Sequence, residues 1–224
     1  LTEIAKPSRD PANDDTLLGV VKTVLRKFLM GIDDMLPAKA GAFSRAQNRV
    51  TALPQVQAIS TEGQRVSRAQ VASAPVYQIG GGGFVLNFNI RPGDQGYIKA
   101  CDRDTSLFNQ THAETSPNTK RLHSFEDGVF FPNVDDGFTI ADEDAANAVL
   151  QSLDGSVRIA LWPDRVKVTA PLVVCDTPLV HATQDVQVDG NLTVTGEITG
   201  SGIVYSTHVH DGVEPGSGNT GTPI

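Results

Sequence analysis

Asp185-Val186-Gln187-Val188-Asp189-Gly190, Asn191-Leu192-Thr193-Val194-Thr195-Gly196 and Glu197-Ile198-Thr199-Gly200-Ser201-Gly202 are consecutive six-residue units, with apolar residues at alternating positions ahead of glycine-containing turns. Alternation marks a β-strand, because successive side chains point to opposite faces. A short, fixed period of strand and turn marks a β-helix or prism. It sends Val186, Val188, Leu192, Val194 and Ile198 inward and leaves Gln187, Thr193, Thr195 and Glu197 solvated. A single such sheet would expose its edges and invite aggregation. Three intertwined chains would close those edges and stack the inward residues in layers along a threefold axis.

Just downstream comes His208-Val209-His210-Asp211-Gly212-Val213, followed by a Gly/Pro/Thr run to Ile224. On a strand, His208 and His210 share a face. Two imidazoles do not close a metal site, but three chains on an axis would supply six nitrogens for an octahedral ion. Imidazole suits iron, nickel, copper and zinc; six ligands disfavour zinc, which prefers four. With every coordination position filled, such an ion would be structural. The turns at Pro215, Gly216, Gly218, Gly221 and Pro223 predict a small, folded-back tip over residues 203–224. The same H-x-H also occurs on plain surface strands, since the motif is short.

Upstream, residues 135–202 are expected to hold hairpins and then the stalk. Ala148 to Leu153, Asp154-Gly155 and Ser156 to Trp162 read as a hairpin with a primed two-residue turn. Pro163-Asp164 turns the chain into Arg165 to Ala170. Residues 49–134 read as a compact β-barrel. Its short alternating runs are Val50 to Ser60 and Gln64 to Ser73, with Val85 to Ile90 and Gly96 to Ala100 flanking a Pro92-Gly93-Asp94 turn. The run Gly80 to Gly83 lacks the Lys-Ser/Thr ending of a phosphate loop and reads as a hairpin connection. Ser106 to Leu122 is polar and irregular, a surface excursion.

Residues 1–48 read as an arm and an amphipathic helix. Leu17, Val21, Val24, Phe28, Ile32 and Met35 recur at helical steps, Thr16 or the preceding aspartates cap the start, and Pro37 ends it. Lys22, Arg26 and Lys27 occupy the remaining face. Packing on the barrel or on trimer mates is expected for this helix, over a membrane-lying role.

The segment Thr207 to Val213, ending in Asn219-Thr220-Gly221-Thr222-Pro223, resembles the tip of the central spike proteins of contractile-tailed phages and R-type particles. Arg91-Pro92-Gly93-Asp94-Gln95-Gly96, Cys101-Asp102-Arg103-Asp104 and Arg121-Leu122-His123-Ser124-Phe125-Glu126-Asp127-Gly128 resemble the barrel of the same spikes, "PGDxG…DRD…RxHxxxDG". Asp211 stands where that family carries a glycine. The resemblance implies a mainly β homotrimer: an OB-fold-like barrel, then an intertwined trimeric β-helix stalk ending in a metal-bound apex. It further implies one iron ion per trimer, ligated by His208 and His210 of each chain. The implied partners are baseplate hub and tail proteins at the N-terminal end and a host outer membrane, pierced on tail contraction and not stably bound. The implied place is the tip of the virion tail baseplate.

Composition agrees with such a chain. Apolar residues are 39% and aromatics 6% of the total, beside 21 glycines and 13 prolines, which is lean for one deep core. A slender monomeric stalk could not bury enough surface, whereas an intermolecular core removes that difficulty. The net charge of −8 opposes binding to a phosphate backbone, so no nucleic-acid partner is expected. Cys101 and Cys175 make neither a disulfide framework nor a zinc ribbon. No run of about 20 apolar residues spans a bilayer, and the first residues lack the ordered zones of a secretory signal. Synthesis in the host cytoplasm is therefore expected.

Catalysis is not expected. Asp102, Asp104, Glu126 and Asp127 could be imagined as a glycosidase pair, but they lie in turn-like, polar sequence. No G-x-S-x-G or H-E-x-x-H occurs, and His112, His123 and His181 read as structural or surface residues. Two alternatives to a piercing spike remain: a trimeric fibre binding a cell-surface polysaccharide through its barrel, and a metal-dependent hydrolase.

Overall fold

The computed structural model describes residues 16–60, 63–207, 209 and 216. Helix α1 (Leu17–Met30) opens at Thr16, whose Oγ1 accepts the Gly19 N–H at 3.0 Å and satisfies one orphan donor of the first turn. It closes at Gly31, whose N–H reaches the Phe28 carbonyl at 3.1 Å. The helical period in the sequence runs on to Ile32 and Met35, but the structure stops it there. Met35 instead opens strand β1 (Met35–Ser44), and Pro37 lies inside that strand. Sheet pairing wins over the weak helical period because β1 hydrogen-bonds on both sides. Packing of α1 on its own barrel is not found: Gly19 is its one buried residue, and Leu17, Leu25, Phe28 and Leu29 are exposed.

The following strands are β2 (Arg49–Pro54), β3 (Ala58–Ile59), β4 (Arg65–Val66), β5 (Val71–Pro75), β6 (Ile79–Gly81), β7 (Phe84–Leu86), β8 (Gln95–Cys101) and, after helix α2 (Ser106–Thr111), β9 (Ser124–Pro132). Five of them form an antiparallel sheet in the order β5-β2-β1-β8-β9. Its two ends meet: Val76, just past β5, bridges Phe130 in β9, and the Tyr77 N–H donates to the Phe130 carbonyl at 2.8 Å. The sheet is thus a nearly closed, OB-like barrel. Register shifts between β1 and β2, β2 and β5, and β8 and β9 supply the extra residues that let it curl. Because β1 is the middle strand, the barrel begins at Met35 and not at residue 49.

A five-stranded barrel has a narrow interior, and the core is correspondingly small in side chain. Ala38, Ala40, Ala52, Ala74 and Ala100 share it with Val50, Ile98, Phe125 and Phe130. Phe130 is 0% exposed and lies over Gly96. A Cβ on Gly96 would come within 2.5 Å of the Phe130 Cζ, so the last glycine of the Arg91 to Gly96 motif is required by close approach of ring and backbone. The rest of that motif is a turn tied to β1. Asp94 Oδ2 accepts the Arg91 N–H at 2.7 Å, and Ala40 exchanges backbone hydrogen bonds with Gly93 and Asp94, both at 2.8 Å. The expected strand from Val85 to Ile90 is shorter than read; it ends at Leu86, and Ile90 is instead a core residue. Ser106 to Leu122 is irregular except for α2.

Beyond the barrel, a 3₁₀ turn (Asp142–Asp144) precedes a three-stranded sheet of β10 (Ala148–Gln151), β11 (Arg158–Leu161) and β12 (Val166–Thr169). The expected strands are present, and Pro163-Asp164 makes the second turn, with Trp162 N–H donating to the Arg165 carbonyl at 2.9 Å. The first turn differs from expectation. Gly155 has positive φ (70°) and Asp154 does not, so no primed pair forms. Ser152 pairs with Val157 and the loop is longer, because the Asp154 carboxylate accepts the N–H and hydroxyl of Ser156 and draws that segment in.

Residues 172–224 separate from 1–171 as a second unit. Among its described residues the only strands are β13 (Thr199–Gly200) and β14 (Ile203–Val204), a hairpin turned by Ser201-Gly202 with positive φ at both. The first two repeat units form no ladder within one chain, and the third contributes only β13. Val186, Val188, Leu192, Val194 and Ile198, expected inward, are all exposed in the single chain.

Candidate functional site: the approach to the apex and the barrel ion-pair cluster

The chain approaches its end through the β13–β14 hairpin. Tyr205 N–H donates to the Ile198 carbonyl at 2.8 Å, and Glu197 accepts the backbone N–H groups of Ile198 and Ser206, each at 3.2 Å. Ser206, through a short hydroxyl contact, and these N–H groups hold the Glu197 carboxyl below its usual range. Glu197 thus clamps the two arms of the hairpin immediately ahead of the H-x-H. His208 and His210, the expected metal ligands, lie outside the described residues; Val209 between them is exposed. Two imidazoles per chain, with no carboxylate or thiolate in the H-x-H, would suit a filled octahedron if three chains contributed them. Among the described residues, no group of three or more His, Cys, Asp or Glu is placed to hold a metal.

Two of the three barrel motifs converge on Arg121. Its Nε and Nη2 donate to the two Asp127 oxygens at 2.9 and 3.0 Å, a bidentate pair. Its Nη1 lies 3.1 Å from Glu126, and Nη2 lies 3.6 Å from the buried Asp104. Asp104 Oδ1 also accepts the Ser106 N–H at 2.9 Å, ahead of α2. The Ser106 and Thr119 hydroxyls beside it, the Ser106 N–H and Arg121 hold the Asp104 carboxyl well below the ordinary carboxylate range. A general acid needs the opposite shift. Three motif carboxylates therefore share one guanidinium that ties the Ser106–Leu122 excursion to β9. Asp102 is separate: its Oδ1 lies 3.8 Å from Nδ1 of His123, a residue with positive φ (45°). His112 caps α2 in the left-handed conformation, and His181 is exposed.

Sequence reading missed a second cluster. Asp144, 0% exposed, accepts from Arg158 Nε at 2.6 Å and from Trp162 Nε1 at 2.9 Å. Glu143 pairs with Arg158 at 2.6 Å and with Lys167, and the Arg165 guanidinium lies 4.1 Å from the centre of the Trp162 ring. These contacts fasten the 3₁₀ turn to β11, to the turn after it and to β12. Nothing in the spacing of these residues announces it, because they meet only when the sheet forms.

Residues 36–133 match the family model of the phage protein Gp138 N-terminal domain, and residues 202–223 match the GpV Apex motif. No curated protein matches the chain. The first match covers the barrel from the second residue of β1 to just past β9, and the second begins inside the β13–β14 turn. Both are typical of phage baseplate central spike proteins, the family the motifs resembled. The chain thus carries, as its barrel and its C-terminal segment, two parts typical of the spike proteins of phage tail baseplates.

Proposed function

We propose that this chain is a homotrimeric baseplate central spike that pierces the host outer membrane when the tail contracts. The observation that carries the reading is the order of parts on one chain. A barrel with its own core leads to a repeat region whose Val186, Val188, Leu192, Val194 and Ile198 have no cover within the chain, and that leads to the apex motif. Exposing so many apolar residues in water is unfavourable by about 25 cal/mol per Å²; three copies wound together would bury them. The stalk would then be stiff because its core exists only between chains.

His208 and His210 of three copies would hold one iron ion at the apex. The ion would supply a fixed point joining three chain ends, and no catalytic role is assigned to it or to the Arg121 cluster. Helix α1, with its apolar residues free, is the segment suited to docking on baseplate proteins. No helix among the described residues is long and apolar enough to cross a membrane.

Native mass together with metal content tests the proposal. A trimer with one iron per three chains is expected, lost on replacing both His208 and His210 by alanine while barrel and stalk stay folded. Because the imidazoles must be neutral to ligate, metal should be released as pH falls below about 6.5, with binding itself pushing that loss lower. A monomeric mass would overturn the spike. One iron per chain would overturn the six-histidine apex. Specific, saturable binding of a surface glycan would favour the fibre.

A further inference from the structure

Residues 69–90 contain no charged side chain, in a chain of which 20% is charged. Within this run β6 and β7 form a hairpin turned by Gly82-Gly83, both with positive φ, the geometry that matches the twist of the strands. Phe84 follows the turn and is 84% exposed. Its cross-strand neighbour is Gly81, which has no side chain to cover it. Ile79, Val85 and Phe88 are exposed as well. At the base of the hairpin, Tyr77, Ile79, Leu86, Phe88, Ile90 and Phe131 line a groove of 220 Å³. Tyr77 and Phe131 stack there at 4.8 Å.

We infer that this hairpin is the contact between the barrels of neighbouring copies, with Phe84 of one copy seated in the groove of the next. The inference rests on the trimeric reading above. Depletion of charge and enrichment in aromatics is the composition of an interface core. The groove is smaller than the roughly 300–1,000 Å³ of small-molecule sites and presents no charged group to orient a ligand, so a single apolar side chain suits it. Projection and groove occupy different places on the same chain. Such a contact is head-to-tail and closes a ring when the rotation between copies is 120°, whereas a self-complementary patch would close only a dimer.

The test uses the full chain with p-benzoylphenylalanine replacing Phe84, a conservative change at an exposed position. Light and isotopically heavy copies are mixed during assembly and then irradiated. Mixed-isotope cross-links from position 84 to peptides 76–90 or 131–132 are expected, in material of trimeric mass. A trimer whose cross-links stay within one copy, or fall on another surface, lipid or a different protein, overturns the contact and leaves the trimer standing. A monomeric mass overturns both.

Discussion

The barrel and the repeat region are built from the same material, short alternating strands and glycine turns, yet they end in opposite states. In the barrel, Val50, Ile98 and Phe130 disappear inside a sheet whose two ends meet at Val76 and Phe130. In residues 172–204 the corresponding Val186, Val188, Leu192 and Val194 remain in solvent. The difference lies in chain length per turn. Barrel strands of five to ten residues, with register shifts, bend far enough for one chain to cover its own apolar face. Units of six residues, turn included, have nothing left over with which to fold back. Alternation therefore says which residues want cover and is silent on who provides it.

The largest effect should come from putting a charge where copies would provide the cover. Val188→Asp or Val194→Asp would place three carboxylates in one apolar layer, at a cost of several kcal/mol each unless they protonate. Loss of the trimer by light scattering is expected, with barrel circular dichroism retained. If both variants assemble and melt like the parent, these residues do not face the axis. Next, Phe130→Ala should destabilise the barrel by about 3–5 kcal/mol, since it removes the largest fully buried side chain. Denaturant melts should show the barrel transition falling and the stalk transition staying.

Gly96→Ala should cost about 1–3 kcal/mol through crowding of Phe130 and the β9 backbone. A neutral result would mean that ring and strand can part, and that the barrel is looser than its packing implies. The smallest effect is electrostatic. Asp104 has its folded pKa depressed, so its stabilisation is whole above the unfolded carboxylate value of about 3.9 and is lost as pH falls through the lower folded value. Asp104→Asn should therefore lower the melting point at pH 7, with a gap to the parent that narrows as pH drops below about 4. A gap independent of pH would assign the effect to packing.

Sequence alone determined β2, β5, β8 and the three strands of the small sheet as strands, but not β1, whose first residue falls in the helical period. The Pro92-Gly93-Asp94 turn, the Pro163-Asp164 turn, the glycine hairpin and the spike motifs were all legible, because turns and strand alternation are local properties. His208 and His210 are read as a ligand pair from two residues and their spacing alone, and both lie outside the described residues. Other features belonged to the tertiary structure. Met35 continues a helical period in sequence but is a strand residue, since β2 and β8 lie on either side of β1 to pair with it. Asp104, Arg121 and Asp127 read as three separate motif residues, and folding brings them to one guanidinium. Asp144 carried no signal, because its partners Arg158 and Trp162 arrive from β11 and the turn after it, well beyond the 3₁₀ turn in sequence. Local sequence fixes what a residue prefers; only the closed fold decides which distant residue satisfies that preference.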